Sequence, residues 1–163
     1  MLTETPQIDV THVLAAPRDL AFRVFTDPSH FMAWWGPAGN TLPSNEIEFD
    51  IRPGGHQQWT EVSADDPRIR VQVHVDLTDV IEGKLIDGLM HVGGQLPAGI
   101  EPFQTRVRYE FSDETDGRTR LTIRQWLPPE QRGNARRGWS EALIKLDAEL
   151  LTVQAPSSEI GEQ

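Results

Sequence analysis

The side chains best placed for chemistry in this chain are polar ones on segments whose alternation marks that face as apolar: Gln57, Glu61, Tyr109 and Gln125. Burying a carboxylate costs several kcal/mol unless it is paired, hydrogen-bonded or protonated. Glu61 therefore either faces water at a strand end beside Ser63-Ala64-Asp65-Asp66 or acts inside a cavity as a polar anchor or general base. Glu61, Tyr109, Gln125 or His74 could polarise a carbonyl and move a proton, and the first three, on the inner face, are the catalytic candidates. His74 and Asp76 share one strand face, with His91 on the next segment, and these are ligand types a metal takes. That face is the outward one and no third ligand has diagnostic spacing, so a solvated polar face and no metal are expected. Gly138-Trp139-Ser140-Glu141-Ala142 superficially resembles a nucleophile elbow, but it lacks the second glycine and lies in a helical pattern. Gly54-Gly55 and Gly93-Gly94 lack the strand, turn and helix setting of a phosphate-binding or dinucleotide loop. No cofactor is expected.

The elements that hold these residues follow from punctuation and period. Ile8, Val10, His12 and Leu14 alternate as a first strand running into Pro17. Two short helices follow, the first with Pro17 in its opening turn, the second opened by Pro28 with Asp27 as its cap. A three-residue Pro53-Gly54-Gly55 loop, with Gly55 supplying positive φ, would oppose Phe49 to Trp59, Ile51 to Gln57 and Ile47 to Glu61. Val71, Val73, Val75 and Leu77 form a half-buried strand, and a turn at Glu82-Gly83-Lys84 returns the chain through Leu85 to Val92. A last hairpin turning at Asp113 to Gly117 opposes Tyr109 to Leu121, Val107 to Ile123 and Thr105 to Gln125. After Pro128-Pro129 a long helix runs from about Asn134 to Val153, with an inner stripe of Trp139, Ala142, Leu143, Leu146, Leu150 and Val153. The segment 154–163 has too few apolar residues to pack and is expected to be disordered.

The chain has 163 residues, 37% of them apolar, and 12 aromatic side chains, which suffices for a single domain over residues 1–153. With 15 basic and 25 acidic side chains the formal charge is −10, which repels phosphate backbones and anionic headgroups. Nucleic acid and membrane partners are not expected. The absence of cysteine excludes disulfides, thiolate metal sites and a cysteine nucleophile. The N-terminus carries no basic and apolar leader and no segment is a bilayer-length apolar run, so the expected location is cytoplasmic.

From Ala16-Pro17 through Val24-Phe25-Thr26-Asp27-Pro28 to Trp34-Trp35-Gly36-Pro37, the chain resembles the START-like SRPBCC superfamily. Within it, the likeness is to the bacterial proteins named after the activator of heat-shock protein 90 ATPase. Glu48-Phe49-Asp50-Ile51-Arg52-Pro53-Gly54-Gly55, Asp79 to Leu85 and Gly138 to Leu143 continue the likeness over roughly residues 8–153. The resemblance implies an α+β helix-grip fold: a curved antiparallel sheet of about six to seven strands wrapped around a long C-terminal helix, with two short helices after the first strand. It also implies a cavity between helix and sheet for a hydrophobic or amphipathic small molecule, entered near the loops and the helix that ends on Trp34-Trp35-Gly36-Pro37. Combined with the face assignment, the expected lining is Trp35, Phe49, Ile51, Gln57, Trp59, Glu61, Val73, Val75, Tyr109, Ile123, Gln125, Trp139, Leu143 and Leu146. Relatives commonly carry Trp at the position of Gln57 and an apolar residue at that of Glu61, so this wall is the more polar. Three functions compete: a binding module that carries, sequesters or senses such a molecule, an enzyme of the polyketide cyclase, dehydratase or hydrolase kind, and a co-chaperone-like partner of a heat-shock ATPase. True activators of that ATPase carry a further N-terminal domain, whereas this chain begins seven residues before its first strand, so the surface-interaction reading ranks last. Monomer and homodimer both remain open.

Overall fold

Alternating apolar residues in seven segments and an apolar stripe along one helix build the protein, whose computed structural model describes residues 5–155. The strands are β1 (Ile8–Leu14), β2 (Glu48–Asp50), β3 (His56–Val62), β4 (Arg70–Ile81), β5 (Leu85–Gln95), β6 (Phe103–Asp113) and β7 (Thr119–Trp126). They form one curved antiparallel sheet in the order β1-β7-β6-β5-β4-β3-β2. Two short helices, α1 (Arg18–Thr26) and α2 (Pro28–Trp34), follow β1, and the long α3 (Arg132–Gln154) closes the chain. At 1.5 Å per residue α3 is about 35 Å long, enough to cross the concave face.

Local chemistry sets the joints. Asp27 accepts hydrogen bonds from the Ser29 backbone N–H (2.9 Å) and hydroxyl (2.8 Å), and Pro28 opens α2 where its missing N–H costs nothing. Pro17 stands one place earlier than expected, as the extended residue flanking α1 (φ −68°, ψ 160°). Trp34 is fully buried, and its indole N–H donates to the Val24 carbonyl at 2.8 Å, locking α2 onto α1.

Two hairpin registers differ from expectation by two residues. Phe49 pairs with Gln57 rather than Trp59, and Asp50 with His56, so residues 51–55 all belong to the turn. Ile51 and Ile47 therefore lie outside β2 and have no ladder partner in β3. The turn is longer because it is stitched to β4: Gly54 N–H donates to the Leu77 carbonyl (2.8 Å) and Leu77 N–H to the Gly55 carbonyl (3.0 Å). Gly54, not Gly55, takes positive φ (+85°); at Gly55 a Cβ would lie 2.0 Å from the Asp50 carbonyl oxygen. Likewise Tyr109 pairs with Ile123 and Val107 with Gln125, because the turn at 114–118 spends two residues in the left-handed region, Asp116 and Gly117. A slip of two keeps every side chain on its face, so the inside and outside assignments survive.

The core joins Leu146 and Leu150 of α3 to Phe25, Trp34, Tyr109, Phe111 and Ile123. Gln154, expected to begin the tail, is the last residue of α3 and donates to the carbonyls of Ala15 and Leu150, both at 2.9 Å. The remainder of the expected tail, 156–163, lies outside the described residues.

Candidate functional site

The N-terminal half of α3 carries small residues on its inner side: Ala135, Gly138 and Ala142, spaced 3 and 4 as one helical face requires. A Cβ at Gly138 would meet nothing within 4 Å. The helix therefore stands off the sheet here and leaves a cavity of about 210 Å³. Its sheet wall is apolar: Val71 and Val73 of β4, Met90 and Val92 of β5, and Phe103 of β6 with Leu127 after β7. Thr105 and Gln125 add polar atoms, and Gln131 and Asn134 frame the start of the helix.

The loop from Trp35 to Asn40 supplies Trp35, Gly36 and Pro37 to the wall, and three anchors fix it. Trp35 is wedged among Phe31 (stacked, 5.0 Å), Trp59 (5.0 Å) and Trp139 (5.3 Å between centroids, 82° between planes). From α3, Lys145 Nζ donates to the carbonyls of Trp35 and Pro37, both at 3.1 Å, and Glu141 accepts from the Ala38 N–H at 2.8 Å. From β3, Glu61 Oε2 accepts from Asn40 Nδ2 at 2.7 Å, while Asn40 Oδ1 accepts from the Ala64 N–H at 2.9 Å. Gly36 (φ +87°) is required twice over: its backbone is left-handed, and a Cβ would lie 2.9 Å from Glu61 Oε2.

Glu61 thus lies on the cavity wall, beneath the loop, not at a frayed strand end in open water. Burial pushes its carboxyl above the usual range, against the pull of Asn40, the Lys145 charge and the Trp35 indole N–H. Lys145 is pushed down, chiefly by its own burial, against the attraction of Glu61 and Glu141.

Of the fourteen residues expected to line a pocket, Trp35, Glu61, Val73, Gln125 and Trp139 do so. Trp59, Val75, Tyr109, Ile123, Leu143 and Leu146 belong to the packed core instead. Phe49 packs edge-on to Phe31 (5.1 Å) and Trp59 (6.3 Å). Ile51 lines a separate cleft with Arg18, Phe22 and Val80. Gln57, although on the inner face and buried, is a structural tie: its Nε2 donates to the Phe25 carbonyl at 2.9 Å. Of the three catalytic candidates, Glu61 and Gln125 line the cavity and Tyr109 does not. Tyr109 sits between Phe25 (5.0 Å) and Trp139 (5.7 Å), and burial raises its phenol pKa. Gln125 Oε1 accepts from the Trp139 indole N–H at 3.0 Å, and Glu61 bonds to Asn40 rather than to either.

Sequence reasoning missed Ala135 and Gly138, Met90 and Val92, and Phe103 and Leu127. Val71 shares the alternation of Val73, and the small-residue spacing along α3 was readable, so those two signals were present in the sequence.

On the convex face, Asp76 bridges two imidazoles: His74 Nε2 lies 3.0 Å from Oδ1 and His91 Nε2 3.1 Å from Oδ2. These bonds pull the Asp76 carboxyl below its usual range. His56 stacks on His74 at 5.6 Å, and the whole ladder is solvent-accessible. Among the described residues, no group of three or more His, Cys, Asp or Glu is placed to hold a metal ion. Ser140 donates to the Arg136 carbonyl at 3.0 Å from the exposed side of α3, with no elbow geometry. Among the described residues no helix is long and apolar enough to cross a membrane.

The architecture is the α+β helix-grip of START-like SRPBCC proteins. The sequence profile of the activator of Hsp90 ATPase homolog 1-like proteins matches residues 15–150, most of the chain, and the protein belongs to this family. A Chromobacterium violaceum protein superposes with a TM-score of 0.73 at 22% identity, covering 86% of this chain and 94% of that one. A Mycobacterium smegmatis protein gives 0.72 at 23%, covering 90% and 91%. The AHSA1 protein of Silicibacter pomeroyi gives 0.70 at 21%, covering 90% and 100%. No curated protein sequence matches significantly.

Proposed function

We propose that the protein binds a small hydrophobic or amphipathic molecule in the cavity between α3 and the sheet, as a carrier, sequestering or sensing module. Proteins of this family and fold commonly bind hydrophobic ligands. The observation that carries the reading is the cavity itself: an apolar space of about 210 Å³ kept open by a helix face of Ala135, Gly138 and Ala142. Drug-sized sites begin at roughly 300 Å³, so the part of an occupant that this cavity holds is smaller than a drug. An engineered cavity of about 150 Å³ holds benzene, which scales the part held here to a single ring with two or three further atoms.

Trp35 and Trp139 stand on the wall and report occupancy through their emission. Titration with monocyclic aromatic and short aliphatic compounds is expected to change that emission with micromolar midpoints. In Gly138→Leu, whose side chain projects into the space, the change should vanish while the protein still folds. A wild-type response no different from that of the plugged variant would overturn the reading.

A further inference from the structure

We propose that Glu61 makes this cavity selective for a single-ring aromatic molecule bearing a hydrogen-bond-donating head, a hydroxyl or an amine, and turns away molecules headed by a carboxylate. The inference rests on the binding reading above and specifies its ligand.

Four features of the wall carry it. Among the described residues Glu61 is the one ionisable side chain lining the cavity, so the charge of the site is that of an acceptor, beside the neutral polar groups of Thr105, Gln125, Gln131 and Asn134. A carboxylate has about four lone-pair positions, of which Asn40 takes one at 2.7 Å and the Trp35 indole N–H faces another. Acceptor capacity is left over, and Gly36 adds no side chain to cover it. The nearest cation, Lys145, is not part of the wall, and its ammonium is turned to the carbonyls of Trp35 and Pro37. It offsets the Glu61 charge from outside, so a neutral hydroxyl is tolerated as well as an ammonium, but it offers no donor to a ligand carboxylate. Finally, Trp35 and Trp139, packed edge-to-face on each other at 5.3 Å, both line the cavity, so the wall that holds Glu61 also offers aromatic surface to a ring. A protonated amine gains further from those indole faces. A carboxylate head would lie against Glu61 in an apolar space, where like charges repel with little screening.

Four probes of nearly equal size test this at neutral pH: benzyl alcohol, benzylamine, toluene and benzoate, titrated by calorimetry and by tryptophan emission. Benzyl alcohol and benzylamine should bind at least tenfold more tightly than benzoate, a difference of about 1.4 kcal/mol. Toluene should fall between, since it fills the cavity without using the head. In Glu61→Gln, which both donates and accepts, the gap to benzoate should close to less than threefold. Asn40→Ala frees the loop but keeps the carboxylate and should preserve the ranking; thermal melts of both variants establish that they fold. Benzoate binding as tightly as benzylamine to the wild type, or toluene matching the two donor-headed probes, overturns the proposal and leaves the cavity reading standing. If none of the four binds the wild type, both fail. Because the wild-type ranking is itself decisive, the test survives a variant that does not fold.

Discussion

The two halves of α3 face the same sheet with opposite results. From Leu143 to Leu150 the helix packs shut: Leu146 and Leu150 are 0% and 1% exposed, and nothing but core lies beneath them. From Ala135 to Ala142 the same helix, on the same kind of apolar wall, leaves a cavity. Hydrophobicity does not separate the two regions. Side-chain size does: leucine fills the space between helix and sheet, whereas alanine and glycine cannot reach across it. In this protein the cavity opens where the helix presents alanine and glycine.

Substitutions along α3 should sharpen that contrast. Leu146→Asp should be the most damaging, since it loses about 2–3 kcal/mol of burial and adds an unpaired charge to the core. A melting temperature within a few degrees of wild type would mean that the leucine half does not grip the sheet. Leu143→Ala should cost about 2–5 kcal/mol in chemical denaturation, because tight packing there leaves a void. In the open half the sign reverses. Gly138→Ala should stabilise by about 0.5–1 kcal/mol, since alanine favours the helix and its Cβ meets nothing within 4 Å. It should also weaken ligand binding by narrowing the cavity.

The smallest effect separates the halves by pH. A carboxyl whose pKa is raised on folding holds its proton more tightly in the folded state. Its contribution is therefore fully present below the usual carboxylate pKa and is lost as pH rises through the raised one. Glu61→Gln should gain on the wild type over that window, read as the difference between their melting temperatures from about pH 4 to pH 7. Leu143→Ala should show no such drift.

How far the sequence reveals this division depends on the signal consulted. Period and punctuation locate the helices and strands, and Asp27-Pro28 yields the joint between α1 and α2 down to its cap. Faces were legible because alternation fixes parity, even where turns 51–55 and 114–118 proved two residues longer than the apolar matching implied. Turn length was not legible, since Gly54 and Gly55 bond to Leu77 of a strand distant in sequence. Parity alone also could not separate cavity from core. Tyr109, Ile123 and Leu146 face inward just as Val73 and Gln125 do, and only the local reach of α3 decides which of them meets empty space. Glu61 was identifiable as a polar residue on an inner face. Its partner Asn40 comes from a loop whose path depends on Gly36, Lys145 and Glu141 together, so no periodic pattern could supply it.

The sheet order has a consequence for how the molecule is made. Among the described residues β1 pairs only with β7, Ile8 against Gln125 and Leu14 against Thr119, so the first strand of the sheet to be synthesised is joined by its last. At ordinary elongation rates the gap is roughly 5 to 20 seconds. Through that interval Phe22 and Phe25 of α1 lack Phe111 and Tyr109, the rings they pack against at 5.0–5.5 Å in the finished protein. Chains arrested before Thr119 should be cut by protease within α1, whereas those released after α3 should resist. Synthesis of this protein thus has a late point of commitment, before which β1 and α1 lack the strand and the rings that complete their packing.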